Sequence, residues 1–127
     1  MFCKGQKLIT AALLGMQALC KDVQINLVEE RCAELGLVLE QYEVVTDDAY
    51  SLGLYRIPGH KVTQLESDEA KPAVLMMHCQ DCDMNEWFWN SDQNSAALTL
   101  VEAGYDVWLG NNRGSRFGQK HATLSVD

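Results

Sequence analysis

The stretch of sequence that decides the fold runs from Ala103 to His121 and reads AGYDVWLGNNRGSRFGQKH. Tyr105 to Leu109 contains Tyr, Val and Trp, which favour strands. Gly104, just before it, is a natural end for a helix, and the Gly-, Asn- and Arg-rich residues after Leu109 predict a loop. The stretch therefore predicts the end of a helix, a strand and a long loop in succession.

Upstream of this stretch, the sequence predicts another strand and the helix itself. Pro72 introduces five consecutive apolar residues, 73–77, a pattern typical of a strand buried on both faces of a parallel sheet. Residues 79–94 are mostly polar and predict a long loop, after which Ser95 can cap a helix that runs to Ala103. Strand, loop, helix and strand form a βαβ unit, so we predict a parallel sheet and the α/β class.

A short helix and a hairpin are predicted before this unit. Asn26 can cap a helix that runs to Leu35, because Glu29 completes a capping-box-like pattern three residues later. Residues 37–46 and 50–57 have the composition of strands and are separated by an Asp-Asp turn, so they predict a β-hairpin.

The quoted stretch closely resembles the acid lipase family, which includes gastric and lysosomal lipases and sterol-ester hydrolases. That family carries a G-Y-D-V-W-x-G-N-x-R-G segment followed by K-H. Residues 42–58 also look like the leading hairpin of the family, and residues 72–87 look like its first buried strand and the loop that ends at a Trp. The resemblance covers about residues 26–127. It marks eight motif residues: Gly104, Tyr105, Asp106, Trp108, Gly110, Asn111, Arg113 and Gly114.

This resemblance implies the α/β-hydrolase fold and hydrolysis of carboxylic esters of lipids through a Ser-His-acid triad, without a cofactor. Residues 21–127 would supply the N-terminal part of that sheet, a leading hairpin plus the βαβ unit, and the sheet would be incomplete. In the family the triad lies further along the chain than Asp127. We therefore assign no catalytic residue and expect the chain alone to be inactive, as the N-terminal fragment of an enzyme whose full-length form acts on a lipid ester.

The oxyanion loop implied by the resemblance lies at His78, Cys79 and Gln80, in altered form. Cys79 replaces a Gly of the family, and Gln80 would offer its N–H to the oxyanion. We expect the ring of His78 to bind backbone groups and shape the loop. A second departure is Ala49, which replaces the Gly of a D-G-Y segment. Ser51, within A-x-S-x-G, is rejected as a nucleophile because a strand pattern follows it, whereas a nucleophile elbow must open a helix.

Five cysteines are present. Cys3 and Cys20 fall in the leader described below, which leaves Cys32, Cys79 and Cys82, an odd number. The last two form C-x-x-C, which could be a redox pair or half of a zinc site. A redox pair needs its first Cys at a helix N-terminus and zinc needs further ligands, so we assign no metal and favour a loop whose thiols pair.

Other prominent side chains receive structural roles. We expect Trp87, Phe88 and Trp89 to be core residues under the long loop. His121 is expected to pack, and Arg113 to hold its loop by bonding carbonyl groups.

Residues 1–20 are interpreted as a signal peptide, because Lys4 and Lys7 precede an apolar run that ends at Ala18-Leu19-Cys20. A secreted or lysosomal (endomembrane lumen) location follows. A mitochondrial presequence is the alternative, although it would normally be rich in Arg and Ser. The formal net charge of −8 argues against nucleic acid as a partner.

The sheet is expected to leave the strand at Tyr105 to Leu109 as an uncovered edge, which a partner protein could cover. Three hypotheses follow. The chain is the N-terminal fragment of a secreted lipid-ester hydrolase. Alternatively, it is a non-catalytic lipase-like subunit or pseudoenzyme that completes its sheet with a partner. The third hypothesis is a small redox or metal-binding protein that uses Cys79 and Cys82.

Overall fold

The structure is a computed structural model that describes residues 26–61 and 70–125. The signal peptide predicted at residues 1–20 lies outside the described residues. Among the described residues, no helix has the length and apolar character needed to cross a membrane. In chain order the elements are α1 (Leu27–Glu34), β1 (Glu40–Val45), β2 (Tyr50–Ile57), β3 (Ala73–Met77), two 3-10 helices (Met84–Phe88 and Asp92–Asn94), α2 (Ala96–Glu102), β4 (Asp106–Gly110) and β5 (Lys120–His121).

Helix α1 begins at the predicted Asn26 cap, but the Glu29 carboxylate binds the side chain of Asn26, whereas a capping box uses the backbone N–H of the cap residue. The Oδ1 atom of Asn26 accepts a hydrogen bond from the backbone N–H of Glu29 at 3.3 Å, and its Nδ2 donates to the carboxylate of Glu29 at 3.3 Å. Gly36 follows the helix with a φ of 67°. Val28 and Cys32, one turn apart, are its buried residues, so the helix contacts the core along a narrow stripe.

The five strands form one mixed sheet in the order β1-β2-β4-β3, with β5 beside β2. The hairpin of β1 and β2 is antiparallel, and β2 also pairs antiparallel with β4. Strand β4 runs parallel to β3, from the Ala73–Asp106 pair to the Met77–Gly110 pair. The parallel pair joined by α2 confirms the predicted βαβ unit and the α/β class.

The predicted edge of the sheet was wrong. β4 lies between β2 and β3, so β3 and not β4 is an outer strand of the described sheet, with β1 at the opposite end. The prediction of burial on both faces of β3 also fails, because only Met76 is buried while Leu75 is 61% exposed and Met77 is 44% exposed. The edge error arises because the chain returns from α2 on the hairpin side of β3. The burial error has a different cause, since Leu75 and Met77 lie on the face of the sheet opposite to that of Met76, which packs in the core.

The core lies on one face of the sheet, under both α-helices and the longer 3-10 helix. Ile57, Val107 and Leu109 come from the strands, and Met84 comes from the 3-10 helix. Phe88 is 2% exposed.

The aromatic run 87–89 divides between core and surface. Phe88 belongs to the core and Trp87 packs against it, as expected. Trp89 is 66% exposed, so its predicted core position is wrong. The three residues lie at the end of the 3-10 helix, where successive side chains point in different directions.

Candidate functional site

An open cleft lies at the carboxyl ends of the parallel strands β3 and β4. Its volume is about 780 Å³. Residues 78–83, after β3, line one side, and residues 112–116, after β4, line the other, with Trp89 also in the lining. In open α/β sheets, ligands bind outside the carboxyl ends of the strands. The cleft is therefore the part of this fold where a binding or catalytic site is expected.

His78 links the two sides of the cleft. Its Nε2 accepts a hydrogen bond from the backbone N–H of Asn112 at 3.0 Å. The neutral ring must then carry its proton on Nδ1, which lies 2.7 Å from the carbonyl oxygen of Cys79 and donates to it. Both ring nitrogens thus bind backbone groups, which confirms the loop-shaping role predicted for His78.

Cys79 and Gln80 occupy the loop that the sequence predicts as the oxyanion loop. The backbone N–H of Cys79 donates to Oε1 of Glu86 at 2.9 Å, and Gln80 is exposed in the cleft lining. Among the described non-glycine residues, positive φ occurs at Ala49 and at Asp81. The side chain of Cys79 is therefore accommodated without a left-handed backbone, and Asp81 makes the tight turn instead.

The two thiols of the C-x-x-C segment are joined in a disulfide between Cys79 and Cys82. This agrees with the expectation that they pair. Their Cα atoms are 5.4 Å apart, and the backbone N–H of Cys82 donates to the carbonyl of Cys79 at 3.3 Å. The segment is therefore a closed turn in the wall of the cleft.

Asp106 anchors the motif of residues 104–114 to the hairpin through Arg56. Its carboxylate accepts hydrogen bonds from Nε of Arg56 at 2.8 Å and from Nη2 at 3.0 Å, and from Nε1 of Trp108 at 3.1 Å. Burial raises the pKa of Asp106, but the hydrogen bonds from Arg56 and Trp108 outweigh it, so the pKa is lowered overall. The sequence analysis missed Arg56, because its partner lies on another strand.

Asn111, which directly follows β4, joins three segments of the chain. It is 3% exposed, its Nδ2 donates to the carbonyl of Gly53 at 3.0 Å, and its Oδ1 accepts from the backbone N–H of Met84 at 3.1 Å. At Gly110 a Cβ atom would meet the side chain of Met77 on β3. Asn111 therefore supplies hydrogen-bond partners to two backbone groups, and Gly110 leaves room for the side chain of Met77.

Three further motif residues shape the backbone or fill the core. Gly104 has a φ of 88° and Gly114 a φ of 83°, angles that favour glycine because it has no Cβ. Tyr105 packs partly buried against the core.

Arg113 binds a different partner from the one predicted. It forms an ion pair with the carboxylate of Asp48 and lies over the ring of Tyr50, with 5.2 Å from its Cζ to the ring centroid. The predicted bonds to carbonyl groups are not its described contacts. A hydrogen bond from Thr46 lowers the pKa of Asp48, burial opposes this, and the charge of Arg113 lowers it further. The loop after β4 is thereby attached to the hairpin turn.

Ser51 and His121 lie away from this cleft and show no catalytic arrangement. Ser51 is within the eight-residue strand β2, and its hydroxyl donates to the carboxylate of Glu43 on β1. Nδ1 of His121 accepts the backbone N–H of Leu124 at 3.0 Å, and its Nε2 is 2.9 Å from the carbonyl of Asp48. The ring of His121 also packs edge-on against Tyr50, with 4.6 Å between the ring centroids, which confirms its predicted packing.

Comparison with known proteins gives one consistent result. The protein-family model described as "Partial alpha/beta-hydrolase lipase region" matches residues 28–91. A putative lysosomal acid lipase/cholesteryl ester hydrolase of Crotalus adamanteus is 39% identical over 122 residues, which are 95% of this chain and 30% of that protein. Lipase member M of Mus musculus is 41% identical over 122 residues, 96% of this chain and 28% of that protein.

A third relative is the gastric triacylglycerol lipase of Rattus norvegicus. It is 42% identical over 92 residues, which are 72% of this chain and 23% of that protein. The chain thus spans less than a third of the length of each of these relatives.

Proposed function

This chain belongs to the α/β-hydrolase lipase family, and from that premise we propose that it forms the oxyanion side of the active site of a lipid-ester hydrolase. The observation that carries the proposal is the bond between His78 and Asn112. It fixes the loop after β3 against the loop after β4, at the end of the sheet where α/β enzymes bind ligands. The relatives named for lysosomal and gastric lipases support an ester of a lipid as substrate.

The hydrogen bonds of the loop decide which backbone N–H can serve the reaction. Ester hydrolysis passes through a tetrahedral intermediate whose oxyanion needs preorganised donors. The N–H of Cys79 is already bound to Glu86, so we assign the donor role to the N–H of Gln80. Glu86 and His78 hold the loop in place and do not contact substrate.

We assign no nucleophile within residues 26–61 and 70–125, and we propose that this chain alone does not hydrolyse esters. Ser51 is bonded to Glu43 inside a strand, and a nucleophile elbow requires a strand-to-helix turn. His78 uses both ring nitrogens on backbone groups. Ser51 is therefore not placed as a nucleophile, and His78 is not placed as a general base.

Secretion or delivery to the lysosomal lumen is the proposed location. The printed names of the lysosomal and gastric relatives support it, as does the disulfide between Cys79 and Cys82, because such bonds persist in oxidising compartments. The mitochondrial alternative receives no support from these relatives.

The test is a chimera in which residues 26–125 replace the aligned segment of rat gastric triacylglycerol lipase. Hydrolysis of a triacylglycerol and of a cholesteryl ester would be measured for the chimera, for the rat enzyme and for this chain alone. We expect hydrolysis by the chimera, and for the chain alone no rate above that of its Ser51→Ala variant. A folded chimera with no hydrolysis of either ester would contradict the proposal.

The exposed edge of the described sheet favours a second candidate, a non-catalytic lipase-like subunit that pairs with a partner chain. Leu75 and Met77 on β3 are 61% and 44% exposed, and an unpaired apolar edge strand is a site for pairing. Size-exclusion chromatography with light scattering, on the full chain recovered from its own source, would reveal a stable complex. A complex without ester hydrolysis would select this candidate over the first.

A further inference from the structure

Three side chains that commonly bind metals meet in the loop after β3. They are Cys79, Cys82 and Glu86, and their ligand atoms all lie within 4.8 Å of one another. Cys79 is exposed, while Cys82 and Glu86 are half-buried in the adjoining turn and 3-10 helix. Metal binding is not used in the ester chemistry proposed above.

The spacing and chemistry of this cluster suit zinc. Thiolate ligands select soft or borderline cations, and tetrahedral zinc has Zn–S distances of about 2.3 Å and Zn–O distances of about 2.0–2.2 Å. Ligand atoms around such a centre are therefore about 3.5–3.8 Å apart. Two thiolates and a carboxylate would leave the fourth position to water, as in zinc sites with three protein ligands.

The surrounding structure already orients the ligands. Oε1 of Glu86 accepts the backbone N–H of Cys79 at 2.9 Å, which leaves the other carboxylate oxygen to bind a cation. The 3-10 helix that carries Glu86 is held by the buried residues Met84 and Phe88. His78 fixes the start of the loop. Since partners of this kind orient metal ligands, mainly the two sulfur atoms would have to move when the disulfide is opened.

We propose that Cys79 and Cys82, once reduced, bind one zinc ion together with Glu86, and that the disulfide and the zinc site are alternative states of this loop. A phosphine reductant and one water molecule open the disulfide and give two thiols and a phosphine oxide. Zinc then displaces the two thiol protons to solvent. Cys32 does not compete, because it is 1% exposed and burial raises its pKa to about 12.

The experiment uses the full chain, oxidised or reduced with the phosphine, titrated with Zn²⁺ against a chromophoric chelator. We expect one equivalent to bind to the reduced protein and none to bind to the oxidised protein. Cd²⁺ should give a thiolate charge-transfer absorption in the reduced form alone. Equal zinc binding by the two forms would overturn the proposal.

Two cysteines outside the described residues need a control of their own. A variant with Cys3→Ser and Cys20→Ser should keep the zinc equivalent of the reduced form. Loss of zinc in this variant would place the site on those cysteines and sink the proposal.

Substitution of Glu86 tests the third ligand without removing a sulfur. Glu86→Gln keeps an oxygen that can accept the N–H of Cys79 but removes the charge, and we expect zinc affinity to fall roughly tenfold or more, since even outer-shell changes cost about 10–100-fold. Asp81→Asn is the matched control, because Asp81 lies in the same loop and outside the cluster. Equal affinities for the two variants would remove Glu86 from the site.

The zinc titration and the chimera assay of the proposed ester hydrolase test the two proposals separately. Zinc stoichiometry is read without any substrate, and ester hydrolysis by the chimera is read without zinc. Either result can therefore fail while the other stands.

Discussion

The backbone N–H of Asn112 donates to Nε2 of His78 at 3.0 Å, and this bond connects the loops after β3 and β4. The opposite ring nitrogen binds the carbonyl of Cys79 at 2.7 Å. A single neutral imidazole therefore connects the two walls of the cleft. The hydrogen bond from the backbone N–H of Met84 to Oδ1 of Asn111 also joins segments that follow these two strands, so His78 shares this role with Asn111.

His78→Ala removes both of these hydrogen bonds. We expect unfolding to require about 1–2 kcal/mol less free energy, the range for net losses of one or two hydrogen bonds. The amide of Asn112 should exchange faster with solvent, because its acceptor is gone. Urea unfolding and amide hydrogen exchange measure the two effects, with Gln80→Ala as an exposed control in the same loop. Unchanged exchange at Asn112 would contradict the assigned link.

Asp106→Asn breaks the ion pair between β4 and β2. The Asp106 side chain is 12% exposed and is bound by Arg56 and Trp108, so we expect a loss of about 2–3 kcal/mol at neutral pH, below the 3–5 kcal/mol of a fully buried pair. Glu102→Gln is the control, because its pair with His60 is exposed and such pairs contribute about 0–1 kcal/mol.

The same substitution predicts a pH dependence. The pKa of Asp106 is lowered in the folded protein, so its contribution is complete above the unfolded value of about 3.9 and is lost as pH falls through the folded value. The stability gap between wild type and Asp106→Asn should stay constant from pH 7 to about pH 5 and narrow below about pH 4. If the difference in unfolding free energy instead grew as the pH fell, the pKa of Asp106 could not be lowered in the folded protein.

Ala49→Gly should stabilise the hairpin. Ala49 has a φ of 66°, and the left-handed region costs a residue with a Cβ about 1–2 kcal/mol. The greater entropy of unfolded Gly offsets about 0.4–1 kcal/mol, which leaves a net gain of roughly 0.5–1 kcal/mol. Ala96→Gly, at the exposed start of α2, should instead destabilise the protein by a similar amount. Thermal unfolding of both variants measures these changes. A loss of stability in Ala49→Gly would contradict the left-handed backbone conformation assigned to Ala49.

Two glycines near the cleft should respond differently to a methyl group. A Cβ at Gly118 would meet the backbone carbonyl of Asn112, whereas a Cβ at Gly110 would meet the end of the Met77 side chain. Met77 is 44% exposed and can turn away. We therefore expect Gly118→Ala to destabilise by about 1–3 kcal/mol and Gly110→Ala by less than about 1 kcal/mol. Chemical denaturation gives both values, and the reverse order would refute the explanation.

Local patterns predicted the elements because their causes lie within a few residues. The cap formed by Asn26 and Glu29 spans three positions, and the predicted range of β2, residues 50–57, is the range found. The loop-shaping role of His78 was also predictable, because a histidine at a strand end without a nucleophile has backbone groups as its nearest partners. The pairing of Cys79 with Cys82 depends on a short separation for the same reason.

Contacts between residues far apart in sequence could not be predicted from local patterns. Arg56 and Asp106 are 50 residues apart in sequence, and Arg113 and Asp48 are 65 apart. Each charge has several candidate partners until the strand order is known. The sequence motif around Asp106 therefore indicated that the residue matters without indicating what it binds.

The sequence alone determined the two α-helices, the hairpin, the βαβ unit and the resemblance to the acid lipases, because periodicity, caps and motifs are properties of neighbouring residues. The 3-10 helices within residues 79–94 and the short strand β5 were not predicted. The tertiary structure decided that β3 and not β4 is an outer strand of the described sheet, that Arg56 and Arg113 hold the motif to the hairpin, and that Glu86 meets the two cysteines. The strand order depends on the side of β3 to which the chain returns after α2. Once that return places β4 between β2 and β3, exposure and charge partners follow from position in space.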